Sequence, residues 1–385
     1  MEVKLWKTNI RMGGGQNTRK INPLFKDIKE YNKYLLSLIG IFVLLLSGII
    51  SYNYTNTSYA KWSSSVESKN ILKLSVKTEK DALAFAKDNV GIGGLEEITH
   101  EIDSTLQVDE RFKTEYRYRG GDSVVNNYVT FNNELWRIIG VFGSNVKIIR
   151  SESIGKLSRD SSESSVNGGN GVNEWSISDL KEYLNTMYYG GSTVTCYAER
   201  NNATTICPKV SLNSDAKQFI DNHTWNVSSS DYIESLSTVD SYNKERGTTT
   251  GKTCTGGSYC NDTVERTTSW TGYVALPYLT DWAYASSESI CKTSIYTKDT
   301  NDNYICKNNN WMHYGSTITD RVWTLSSSYG STYACSVWIV YGDGHVHSIG
   351  SAFPITVFPT VYLKSNVKVA GGSGTSTDPY ILSRS

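Results

Sequence analysis

Three kinds of hydrophobic pattern run along this chain. The first is continuous. No charged residue occurs from Tyr34 to Ala60, and the core of that stretch, LLSLIGIFVLLLSGII from Leu35 to Ile50, is apolar on every helical face. Such a run reaches the ~17–25 residues that a helix needs to span a bilayer, so a transmembrane helix is predicted over 34–52. The second pattern has a period near two. The segments EYRYRG, NNYVTF, ELWRIIGVFG and NVKIIRSES follow one another from Glu115 to about Ser153 and read as an antiparallel meander. Asn132-Asn133 suits a tight turn between the second and third strands, and Gly143-Ser144-Asn145 turns the third into the fourth. The third strand is apolar on both faces and is expected to lie centrally. The last pattern is helical. Leu180, Tyr183, Leu184 and Met187 recur at i, i+3, i+4 and i+7, with Ser176 or Ser178 to start the helix and Gly190 or Gly191 to end it.

Weaker signals fill the rest. Thr78 is placed to cap a helix including EKDALAFAKDNV that stops before Gly91. Another short helix is expected over 215–220. From Thr193 to Asn310 the chain reads as loop, apart from WTGYVALPYLTDWAYASS. There a strand through Gly272–Leu276 and a turn or short helix at Asp281–Ala285 are predicted. The chain closes on four strand-like segments, RVWTLSSS, YACSVWIVY, HVHSIG and TVFPTVYLKS.

Charge adds a direction. Residues 1–33 hold eight Lys/Arg and three Asp/Glu, while the whole chain of 385 residues is formally neutral. Lys26, Lys29 and Lys33 directly precede the apolar run, which places the N-terminus in the cytoplasm and the remainder outside. The alternative is a signal peptide cut after Ala60, in the small-residue sequence Ser58-Tyr59-Ala60. The absence of a basic excess gives no footprint for nucleic acid.

The cysteines agree with an outward topology. All seven follow the apolar run, and six form near pairs: Cys196 with Cys207, Cys254 with Cys260, Cys291 with Cys306. Disulfides are the expected reading; zinc is the alternative, but no C-x-x-C pair supplies its usual spacing. Cys335 is left over in YACSVWIV and is expected as a buried thiol.

The order of these segments resembles a known architecture. EYRYRG…NNYVTFNNELWRIIGVFG, WSISDLKEYLN, GYVALPYLTDWAYAS and WTLSSSYGSTYACSVWIVYGDGHVHSIG…FPTVYLKSNVKVAGGSGTSTDPYIL are similar to uncharacterised bacterial surface proteins. Their closing segment looks like the C-type-lectin-like fold shared with formylglycine-generating enzymes. The resemblance spans Glu115 to Ile381 and implies an α+β, mainly antiparallel ectodomain. It departs from the pattern at Phe358-Pro359, where such proteins commonly carry an arginine before the proline. The copper-binding cysteine pair of the enzymes has no counterpart here, and the Glu-Pro-Asn or Gln-Pro-Asp motifs of calcium-dependent lectins do not occur.

Candidate chemistry concentrates near the C-terminus. His345 and His347 share a strand face, and Asp343 stands beside them. No third ligand forms a known pattern with the pair, so a hairpin turned by Gly342-Asp343-Gly344 is preferred to a metal site. Asp299, Asn301 and Asn303 imitate a calcium loop, but Tyr304 replaces its glycine and Asn310 its glutamate. No nucleophile elbow, no Cys/His signature and no carboxylate pair stands out, and no cofactor is implied. The Tyr329, Tyr333, Trp338, Tyr341, Asp343, His345 and His347 set is instead expected to form a ligand-binding face, with about half of its aromatic residues buried.

The expected organisation is therefore a basic arm over 1–33, a membrane helix over 34–52, a spacer and helical stalk over 53–110, and a disulfide-pinned ectodomain over 111–385. Non-enzymatic binding of an extracellular protein or glycan is the favoured function. A degenerate formylglycine-type oxidase, a cell-wall hydrolase, or a structural envelope protein are the alternatives.

Overall fold

The computed structural model describes residues 63–66, 72–75, 79–109, 112–161, 169–228, 230–231, 236–248, 264–293, 295, 305–329 and 335–384. The apolar run 34–52 lies outside them. No helix among the described residues is long and apolar enough to cross a membrane. The chain divides into two compact units, Met1–Val76 and Lys77–Ser385. In the first, strands Ser63–Val66 and Leu72–Ser75 pair antiparallel.

The second unit is mostly antiparallel β-structure with short helices. Its larger sheet has the order Val274–Ala275, Thr360–Tyr362, Asn145–Arg150, Glu134–Phe142, Thr114–Tyr118 and Leu95–Thr99, and Tyr128–Phe131 also pairs with Glu134–Phe142. The Glu134–Phe142 strand is interior and buried over most of its length, as its two apolar faces require. Asn132 and Asn133 both have positive φ, 56° and 62°, the geometry of a two-residue hairpin turn. Gly140 packs against the Tyr116 carbonyl so closely that a Cβ would meet that oxygen at 2.2 Å; only glycine lets the two strands approach there.

A second sheet has the order Val346–Gly350, Ser336–Tyr341, Arg321–Tyr329, Ile355–Thr356 and Lys156–Leu157. Its hairpin from Ser336 to Gly350 follows the turn chemistry of Gly342-Asp343-Gly344. Ser336–Tyr341 is covered on both sides. Val337 and Ile339 enter the main core, whereas Trp338 and Val340 enter a smaller core with Leu279, Trp282 and the Cys291 and Cys306 side chains. Trp338, 0% exposed, is therefore a core residue and is corrected from the expected binding face.

The helices bring further corrections. Helix Ala82–Asn89 is capped by the Asp81 carboxylate, which accepts from Ala84 N at 2.8 Å; Thr78 lies outside the described residues. Its Ala82, Phe85 and Ala86 are core residues, and Leu95–Thr99 joins the large sheet, so residues 79–109 are built into the main unit rather than a stalk. Helix Asp179–Glu182 is capped by Ser178 as expected, and continues as a π-helix over Tyr183–Tyr189. There Asn185 donates to Val274 O at 2.9 Å and accepts from Tyr273 N and Val274 N at 3.1 Å, tying the helix to the sheet edge. Helix Ser214–Phe219 matches the weaker expectation. Helix Thr238–Arg246 falls where only loop was read. It buries Thr238, Ser241, Asn243, Glu245 and Arg246 beside Tyr242, so it has no apolar stripe by which a sequence could reveal it.

Disulfides join Cys196 to Cys207 and Cys291 to Cys306. Cys254 and Cys260 lie outside the described residues. Cys335 is buried.

Candidate functional site

A cleft of about 590 Å³ opens between the two sheets. That volume is in the range of small-molecule pockets. Its lining includes the Tyr128–Arg137 hairpin, the end of Asn145–Arg150, Trp282 of helix Leu279–Ala285 and the turn Asn310–Tyr314, and from the second sheet Trp323 and Val340. The turn is placed by identifiable bonds. Trp311 donates its indole N–H to Tyr118 O at 2.7 Å, and Asn310 donates to Trp282 O at 2.7 Å, which pins the turn against sheet and helix. Tyr314 packs edge-on to Phe358, with centroids 5.1 Å apart.

The walls are aromatic. Tyr128, Trp282, Trp311, Tyr314, Trp323 and Phe358 all contribute. Tyr314, 41% exposed, stands at the mouth. The polar groups are few and already oriented. Arg137 donates from Nε to Asn127 Oδ1 at 2.7 Å and from Nη1 to Asp122, while its Nη2 has no partner. The same guanidinium lies over the rings of Tyr128 and Trp311. Arg150 grips Glu134 with two bonds, at 2.9 and 2.6 Å. That grip outweighs burial and holds the Glu134 carboxyl below its ordinary range. His313 donates from Nε2 to Gly342 O at 3.1 Å, and burial lowers its pKa, so it is neutral at pH 7. Asp122, Glu134 and Glu152 set three carboxylates against the two guanidiniums of Arg137 and Arg150. Glu134 is committed to Arg150 and His313 to backbone, so neither stands ready as an acid or base. The arrangement can bind: flat apolar walls, with fixed donors and acceptors at the rim.

Behind the cleft wall lies a buried ionic cluster that sequence reading missed. In Thr114–Tyr118, period two sets Glu115 and Arg117 on the face opposite Tyr116 and Tyr118, toward helices Thr238–Arg246 and Leu279–Ala285. Glu115 accepts from Arg117 Nε at 2.8 Å and from Tyr242 at 2.6 Å, and lies 3.0 Å from His100 Nε2. Arg117 Nη1 donates to Asp281 Oδ1 at 2.8 Å, and Lys147 Nζ reaches Asp281 Oδ2. Asp281 thus serves two cations, and despite its burial they hold its carboxyl low. Lys147 has only a share in that one carboxylate. Burial wins there and lowers its ammonium to about 8. Tyr278, which lines the cleft, also forms part of the wall around Lys147.

The predicted ligand face is only partly assembled. Tyr341, Asp343 and His345 meet at the tip of the hairpin. The His345 ring stacks on Tyr341 with centroids 4.1 Å apart, and its Nδ1 is bonded to Asp343. His347 pairs across the hairpin with Ile339 and donates Nδ1–H to Ser348 O at 2.7 Å. Trp338 points to the opposite face. The side chain of Tyr329 and all of Tyr333 lie outside the described residues, as does the 299–304 segment that imitated a calcium loop. Among the described residues, no group of three or more His, Cys, Asp or Glu is arranged to hold a metal ion. The cleft residues carried a weak signal in sequence: Trp311, His313 and Tyr314 form a ring-bearing cluster just after the segment read as loop, and no element was assigned to them.

Compared with known proteins, the chain matches no family model, no curated protein and no solved structure.

Proposed function

We propose that the protein is a membrane-anchored, outward-facing binding protein with a C-type-lectin-like ectodomain. Its ligand is a neutral glycan taken into the aromatic cleft. The observation that carries this reading is the cleft itself: about 590 Å³, walled by Trp and Tyr rings, with Arg150 doubly bonded to Glu134 and Arg137 bonded to Asp122. Sugar rings present C–H faces that pack on aromatic surfaces, and hydroxyls that both donate and accept. Ion pairs held in fixed geometry match hydroxyls without reorganising. Three carboxylates against two guanidiniums disfavour an anionic ligand, since like charges at close range repel. The anchor rests on the apolar run 34–52 and the lysines before it, and the disulfides suit an oxidising exterior.

A glycan array containing neutral and acidic sugars, probed with the purified protein, tests this. Binding to neutral sugars is expected, with loss in Tyr314→Ala, an exposed position whose removal leaves the core intact. Signal confined to acidic sugars, no signal above background, or signal unchanged in Tyr314→Ala overturns the reading. Protease protection in intact cells tests the topology; digestion of the 77–385 region from outside is expected.

A further inference from the structure

We infer that Lys147 and Asp281 become joined by an intramolecular amide bond between Lys147 Nζ and Asp281 Cγ, a covalent cross-link between the large sheet and helix Leu279–Ala285. The two groups are 2.5 Å apart, Nζ to Oδ2, and both side chains are 0% exposed. They come from positions 134 residues apart, and each sits on a regular element held by its own packing.

The surroundings suit the reaction. Nζ lies 4.0 Å from the ring centroid of Tyr278, 5.2 Å from Tyr362, 5.3 Å from Trp225 and 5.8 Å from Phe142. This aromatic shell keeps out bulk water, which disfavours the separated charges of ammonium and carboxylate. Asp281 Oδ1 is held by Arg117 Nη1 at 2.8 Å, a donor aimed where negative charge develops when Cγ is attacked. The backbone N–H of Tyr278 fixes Oδ2 at 2.9 Å. The fold therefore holds the pair in contact, which replaces a bimolecular condensation by a unimolecular one.

The steps balance. A proton passes from the Lys147 ammonium to Asp281 Oδ2 along their contact, leaving a neutral amine and a neutral acid. The amine nitrogen attacks Cγ, and the oxyanion forms on Oδ1 against Arg117. A second proton leaves nitrogen for Oδ2, the Cγ–Oδ2 bond breaks, and one water departs. Ammonium and carboxylate thus become amide and water, with no oxidant, reductant or added group. The neutral pair is the minor form, because Arg117 favours the carboxylate, so the reaction is a slow, single event after folding. It accumulates because, once the released water has left, reversal requires water to re-enter a site where both side chains are 0% exposed. Burial lowers the Lys147 ammonium to about 8, which raises the share of free amine.

Mass spectrometry of the purified full-length protein, reduced and denatured, provides the test. The expected result is a branched peptide joining the segments that contain Lys147 and Asp281, one water lighter than their sum. Lys147→Arg is expected to yield the two linear peptides at full mass. Recovery of both linear peptides at full mass from folded wild-type protein overturns the inference and leaves an ion pair. A linear Asp281 peptide lacking one water also overturns it, because that loss is internal to the aspartate.

Discussion

The Arg137 guanidinium carbon lies 4.2 Å from the ring centroid of Tyr128 and 4.7 Å from that of Trp311. A largely buried cation held against two ring faces is attracted by both quadrupoles. Together with the bonds to Asn127 and Asp122, this makes Arg137 the joint between the hairpin and the Asn310–Tyr314 turn.

Arg137→Met is accordingly expected to destabilise the fold by about 2 kcal/mol, the scale of a lost charged hydrogen bond and a buried partner left unpaired. Arg137→Lys, which keeps the charge but not the planar fork, should fall between. Urea denaturation followed by tryptophan fluorescence measures both. A Met variant as stable as wild type would show that the rings hold the turn without the cation.

Acid should attack the ionic cluster through Glu115. Burial opposes its ionisation, but Arg117, His100 and Arg246 overcome that and hold its carboxyl well below the ordinary 4.5. The stability it contributes is fully present above about 4.5 and is lost as pH falls toward the folded-state value, because the unfolded chain binds the proton first. Glu115→Gln should be less stable at pH 7, by about 3 kcal/mol for a broken buried pair, and should show a flatter decline below pH 4.5. Thermal melts across pH read this directly.

Asp160 should act in the opposite sense. Burial, and then the nearby Asp179 carboxylate, push its carboxyl up from 3.8 to about 7. The folded state then holds a proton that the unfolded chain has already released. Stability from this group falls as pH rises from about 4 to about 7, by on the order of 1.4 kcal/mol per pH unit across that window at most. Asp160→Asn, whose side-chain oxygen can still accept from Val172 N, is expected to remove that slope and to be the more stable protein at pH 7. Equal slopes in both proteins would contradict the assignment.

The two faces of the C-terminal hairpin should respond differently to truncation. Trp338 is 0% exposed in the second core, and Trp338→Ala is expected to cost about 3–5 kcal/mol. His345 lies partly exposed at the tip, stacked on Tyr341, and His345→Ala should change stability by about 0.5 kcal/mol or less. Denaturant midpoints separate the two. Near-equal losses would mean that the tip is part of the packed core.

Much of this architecture was legible because it depends on local pattern. The two-period strands from Glu115 to Ser153, the Asn132-Asn133 turn and the Ser178 cap follow from residue spacing and from which residues tolerate positive φ or cap a helix; the spacing of 196/207 and 291/306 offered candidate disulfides, and the fold fixed their connectivity. Such signals work when one face meets water and the other meets the core. They fail where an element is buried on polar contacts. Helix Thr238–Arg246 buries polar side chains against Glu115, Thr280 and Ser326, so its sequence looks like a loop.

What the sequence determined by itself was the strands from Glu115 to Ser153 with their turns, the strand character of the closing segments and the uncharged run near the N-terminus, since each is written in a short window. Tertiary structure alone decided that Trp338 turns inward, that Arg137 meets Trp311, and that Lys147 meets Asp281. The reason is physical: a buried charge is tolerated only where a distant partner compensates its lost hydration, and no local pattern records where that partner will come to lie.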